Sequence, residues 1–156
     1  MQAATTSTLG SRDPTVLWLK AAAAIVVAFG SVIALAAHPL GATPAGLLAD
    51  LVFWPLDGRQ QITSPEARLL CAISGGLMVG WGVMLWLVAS RLYPRDPALA
   101  RLLFVASVLA GLVVDSLGSV VAGAPLNALL NVGFVALLLL PFAARSQPDI
   151  EPDSRR

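Results

Sequence analysis

Cysteine and histidine are nearly missing from this sequence, and with them most of the chemistry that redox proteins and metalloproteins use. Cys71 is the single cysteine, so an internal disulfide, a CxxC pair and a cysteine cage for a metal are all excluded. His38 is the single histidine, which removes the bis-histidine ligation that two facing helices give a b-type haem. A metal at His38 would have to recruit carboxylates such as Asp50 or Asp57, and the plainer reading is a histidine at a helix end. Charge is scarce as well: 12% of residues are charged, against about 25% in soluble domains. The net charge is +1, and no basic patch marks a surface for nucleic acid. No GxSxG, Walker A, HExxH or paired-carboxylate spacing occurs, so no catalytic residue, metal or cofactor is assigned.

What the chain has instead is apolar length. Hydrophobic residues make up 57% of it and fall in long blocks rather than alternating with polar ones. A helix needs about 20 mainly apolar residues to cross roughly 30 Å of hydrocarbon. Four blocks qualify, at about 16–37, 67–89, 98–122 and 126–144. The expected fold is therefore all-α and integral to a membrane, a bundle of four transmembrane helices. Helix-start signals stand before three spans: Ser64-Pro65-Glu66, Asp96-Pro97, and Pro125 after the Gly123-Ala124 turn. The first block is longer than a signal-peptide core and is read as a retained helix behind a polar N-terminal tail, residues 1–15.

Four spans put both termini and the loop from Ser90 to Pro97 on one side. That side holds Arg12, Lys20, Arg91, Arg95, Arg101, Arg145, Arg155 and Arg156, and the other only Arg59 and Arg68. The positive-inside rule then makes the first side cytoplasmic. Trp18, Trp86 and Tyr93 near the inner boundary, and Phe53 with Trp54 near the outer one, suit aromatic belts, and equally suit ordinary packing. The tail at 145–156 has nothing to bury and is expected to be disordered. Many Ala and Leu, with nine Arg against Lys20, suit a GC-rich bacterial gene and an inner membrane as the address.

The outer loop, 38–66, is not simply polar. Thr43-Pro44 can start a short helix over Ala45 to Trp54, which Pro55 would stop. At about ten residues it cannot span, so it is expected to lie at the outer interface or to re-enter the bundle. Leu56-Asp57-Gly58-Arg59 reads as a turn.

Inside lipid, helices associate through small residues and polar side chains. Gly76 and Gly80 form a GxxxG pair, Gly30 begins a small-residue run on span one, and Ser107, Gly111, Asp115, Gly118 and Ala122 share one stripe of span three. That stripe is expected to face the bundle or a partner. Asp115 lies roughly 10 Å below the outer interface by helical rise, where an unpaired acid costs at least a few kcal/mol. Ser31, Ser74 and Asn131 fall at similar depth, Asn127 one turn above Asn131, and Ser119 one turn above Asp115. Arg68 is placed to extend toward Asp115, so all four spans are expected to feed one polar layer. The layer is either a hydrogen-bonded network that fixes helix register, the favoured reading, or a pocket where Asp115 meets a cation, a proton or a polar headgroup.

From Trp54-Pro55-Leu56-Asp57-Gly58, through Ser64-Pro65-Glu66-Ala67-Arg68 and Ser74-Gly75-Gly76 with Gly80-Trp81-Gly82, to Asp115-Ser116 and Asn127 to Asn131, the chain resembles four-span proteobacterial inner-membrane proteins of unknown function. The resemblance implies an architecture and an address, and brings no activity, cofactor or catalytic residue with it.

The functional expectation is a non-enzymatic accessory or interaction subunit, or a small scaffold. Its partners would be the lipid bilayer and another membrane protein or further copies of itself. The alternatives are a small transporter or ligand-binding protein using Asp115, and an enzyme acting on a lipid or quinone.

Overall fold

A computed structural model describes residues 13–144. The tail at 145–156 and most of the segment at 1–15 lie outside the described residues. Helix α1 is Pro14–Leu35; a 3-10 turn at Pro39–Gly41 leads into the short α2, Ala42–Phe53; α3 is Pro65–Leu87, continued by a π turn at Val88–Leu92; α4 is Pro97–Val121 and α5 is Pro125–Ala144. Helices α1, α3, α4 and α5 are long and apolar enough to cross a membrane, and α2 is the shorter helix between the first two.

Each long helix opens on a proline, where the missing N–H costs nothing because the first turn has no carbonyl to meet it. Asp13 caps α1 by accepting from the Thr15 N–H at 2.8 Å, Ser64 caps α3 through the Ala67 N–H at 3.1 Å, and Asp96 caps α4 through the Leu99 N–H at 2.9 Å. Beyond the last turn of α4 and its cap residue Ala122 comes Gly123, whose φ of 82° suits a residue without Cβ. The Ala124 N–H bonds to the Ser119 carbonyl at 2.8 Å and the Gly123 N–H to that of Val120 at 3.1 Å, the Schellman pattern. Pro125 then starts α5, so α4 and α5 form a hairpin with almost no loop.

The bundle has two unlike halves. At the end that carries residues 13 and 144, here the tail end, all four long helices converge. Val16, Leu19, Ala23 and Val26 of α1 meet Leu85, Ala89 and Tyr93, Ala100, Phe104 and Val108 of α4, and Leu138 and Phe142 of α5 in one buried cluster. Phe142 holds its ring against Tyr93 and, edge-on, against Phe104, with centroids 6.3 and 6.1 Å apart. Pro141 lies inside α5 and has no N–H to give the Leu137 carbonyl. The Trp18 indole N–H supplies that bond from α1 at 3.0 Å. Trp18 therefore has a specific seat between helices, beyond any part in an aromatic belt.

At the opposite, loop end the helices sort into pairs. Helix α1 stays close to α3, α4 stays with α5, and α2 packs against α1 and α5. Apart from its π turn, α3 makes little contact with α4. The loop between α1 and α3 is closed by Asp50, which is buried in α2 and accepts the Gly58 N–H on both carboxylate oxygens, at 3.1 and 3.0 Å. Asp57 pairs with Arg59 at 3.1 Å.

The α1 and α3 pair is held by close backbone approach. A Cβ on Gly30 would come within 2.7 Å of the Met78 Cβ and 2.9 Å of the Val79 nitrogen, and one on Gly82 within 2.7 Å of Val27 Cγ2. One on Gly75 would collide with the Ala34 backbone and the Gly30 carbonyl. The packing glycines are thus Gly30, Gly75 and Gly82. Gly76, Gly80, Gly111 and Gly118, expected from the sequence to seat neighbouring helices, have nothing within 4 Å of such a Cβ and pack against nothing in the described chain.

Candidate functional site

The polar residues gather where the α4 and α5 hairpin places them. Because the turn falls at Gly123-Ala124, a residue on α4 faces its counterpart at nearly equal distance beyond the turn. Ser119 so faces Asn127, and Asp115 faces Asn131. Asn127 Nδ2 donates to Ser119 Oγ at 2.8 Å and to Asp115 Oδ1 at 3.3 Å, and Ser119 Oγ donates to the same Oδ1 at 3.2 Å. Asn131 Nδ2 donates to Asp115 Oδ2 at 2.8 Å and lies 3.4 Å from Ser116 Oγ. The carboxylate thus accepts on both oxygens, and every donor is neutral.

The layer does not draw on all four spans. Ser31 Oγ donates to the Val27 carbonyl of its own helix at 2.8 Å, and Ser74 Oγ to that of Leu70 at 2.6 Å. Such back-bonding satisfies a serine in lipid without a neighbour. Arg68 makes no ion pair with Asp115; its Nε is buried and has no hydrogen-bond partner. The four sequence-derived polar residues brought together are Asp115, Ser119, Asn127 and Asn131. Ser116 is a fifth member, and its signal was its place beside Asp115 on the hairpin face.

Asp115 is also exposed rather than enclosed. It opens onto a recess of about 490 Å³, lined on α4 and α5 by Val114, Gly118, Ser119, Ala122 and Asn127, and on α2 by Val52 and Phe53. The stripe it belongs to explains why. Ala100, Phe104, Val108, Gly111, Asp115, Gly118 and Ala122 follow one another at steps of three or four, so they share one face of α4. The first three are buried in the tail-end core; the last four are exposed. One and the same face is covered in one half of the bundle and bare in the other.

Chemically the cluster holds one ionisable group, so it offers one negative charge or one proton, set in a frame of amides and hydroxyls. Its oxygens are suited to a cation, a protonated amine or a guanidinium. Among the described residues no three of His, Cys, Asp and Glu come together. His38 accepts the Leu40 N–H on Nδ1 at 3.2 Å, capping the 3-10 turn.

Comparison with protein-family models, with characterised proteins and with solved structures returns no match.

Proposed function

We propose that this multi-pass membrane protein is a non-enzymatic interaction subunit that docks another membrane segment along the bare half of α4. The observation that carries the reading is the α4 stripe, buried at Ala100, Phe104 and Val108 and uncovered at Gly111, Asp115, Gly118 and Ala122. Small residues let a second helix come close, and a carboxylate within a span calls for a charge or proton from outside its own neutral frame. The stripe extends for about three helical turns, a length that suits a helix better than a small ligand.

The location proposed with it is a bacterial inner membrane, both termini cytoplasmic. The support is the bias of Arg and Lys toward the termini and the loop between α3 and α4, together with the resemblance to four-span proteobacterial proteins. A second reading, a small transporter or binding protein for a cationic ligand, draws on the recess of about 490 Å³ beside Asp115. It requires the recess to close around its occupant.

A photo-crosslinking side chain at Gly118, compared in intact membranes with one at Val113 on another face, separates these readings. Interaction through the stripe gives a polypeptide adduct at Gly118 at least about tenfold above that at Val113. Adducts to lipid alone at both positions would sink it.

A further inference from the structure

We infer that the occupant of the bare α4 face is a second copy of this chain, held by Arg68 of one copy against Asp115 of the other. The inference rests on the interaction reading above and names its partner.

Two rows of residues point to it. On α3, Arg68, Ala72, Gly76 and Gly80 recur every four residues, and on α4 so do Ser107, Gly111, Asp115 and Ser119. Rows of this spacing are the ridges and grooves through which helices interlock. The glycines of both rows and Asp115 are exposed within the chain, and a Cβ added at Gly76, Gly80 or Gly111 meets nothing within 4 Å, while Arg68, Ala72, Ser107 and Ser119 are half-buried. Helices α3 and α4 run in opposite directions in the bundle, and a two-fold axis along the spans keeps α3 of one copy antiparallel to α4 of the other. Counted from the loop end, Arg68 lies about 4.5 Å and Asp115 about 9 Å into the span by helical rise. That offset is within the reach of an arginine side chain, which extends along a helix surface to place its charge. In the same register Gly76 falls level with Gly111, at about 16 Å from the loop end. Glycine meets glycine where the helices have to approach closest.

Charge makes the match specific. Asp115 is held by neutral donors only, and Arg68 Nε is buried without an acceptor. The two are of opposite sign, at nearly the same depth, and unpaired with each other in the single chain. Arg68 also borders an open recess of about 340 Å³ with Ala37, Pro65, Leu69 and Ala72. A two-fold arrangement forms the pair twice, and each copy then gives a guanidinium to a carboxylate that already accepts from both asparagines.

The test co-expresses two differently tagged full-length copies and measures how much of one is retained with the other after mild detergent extraction. Wild type self-associates. Asp115→Arg and Arg68→Asp, each expressed alone, lose at least tenfold of that association, and co-expression of one with the other restores it, because opposite charges again face each other across the two-fold. Asp115→Asn and Arg68→Gln, which are gentler on folding, weaken association in the same direction. A monomeric wild type overturns the inference, as does a mixture of the two charge-reversed chains that stays apart. Recovery confined to a chain carrying both reversals would mean that the pair forms within one molecule, and would overturn it too. If wild type is monomeric while the Gly118 crosslinker still captures a different polypeptide, this inference fails and the interaction reading stands. Lipid adducts alone remove both.

Discussion

Both helix pairs of this bundle are antiparallel, yet opposite means hold them together. The α1 and α3 pair has no side-chain hydrogen bond between its helices among those described; its backbones touch at Gly30, Gly75 and Gly82. The α4 and α5 hairpin has open space at Gly111, Gly118 and Gly133, and five polar side chains bond across it. The contrast teaches that glycine in a membrane helix marks close contact only where a backbone answers it. Elsewhere it marks a face kept free of bulk.

The sharpest way to break the comparison is to exchange the roles of neighbouring glycines. Gly75→Leu drives a side chain into the Ala34 backbone, where nothing flexible can give way. It is expected to destabilise the monomer by about 3 kcal/mol or more, the upper range of overpacking. Gly76→Leu, one residue on, enters open space and is expected to change monomer stability by less than about 0.5 kcal/mol. Unfolding of the dilute, detergent-solubilised chain measures both. Equal losses at the two positions would mean that the α1 and α3 seam lies elsewhere.

A smaller effect tests the seam that joins the two pairs at the tail end. Trp18→Phe leaves the Leu137 carbonyl without a donor and is expected to cost about 1 kcal/mol. Pro141→Ala restores a backbone N–H four residues after Leu137, so in that background the cost of Trp18→Phe falls by at least half. An unchanged cost would mean that Trp18 contributes through its ring alone.

Much of this was legible beforehand because it depends on properties that act along the chain. Length and hydropathy pick out the spans, and the prolines at 65, 97 and 125, each just behind a capping residue or a turn, are the first residues of α3, α4 and α5. Asp13-Pro14 carries the same signal, masked by its place at the end of a polar run. The hairpin partners were legible as well, since a two-residue turn sets which residues are level, and level residues on adjoining faces meet. Azimuth is what sequence does not carry. Ser31, Ser74 and Arg68 have suitable depth but belong to the other pair, and the splay of the loop half keeps them from Asp115. Gly75 and Gly76 differ by about 100° around α3, and composition cannot choose between them. The bare half of α4 was hidden for the same reason: a stripe reads alike whether a neighbour covers it or not.

The smallest effect decides how far the polar network extends. In the dilute monomer, a double-mutant cycle with Asp115→Leu and Asn131→Leu is expected to give a coupling of about 0.6 kcal/mol, the usual worth of a hydrogen bond between membrane helices. The same cycle between Asp115 and Arg68→Gln should be additive within about 0.3 kcal/mol, because the hairpin and the α1 and α3 pair share no polar contact at that depth. The two couplings have to be read together. If Arg68 couples to Asp115 in the monomer by more than about 1.5 kcal/mol, the loop half closes on itself in solution and the four helices do share one layer. If only Asn131 couples, the carboxylate is positioned by its own hairpin and offered outward. It then either takes a positive charge from another molecule or holds a proton.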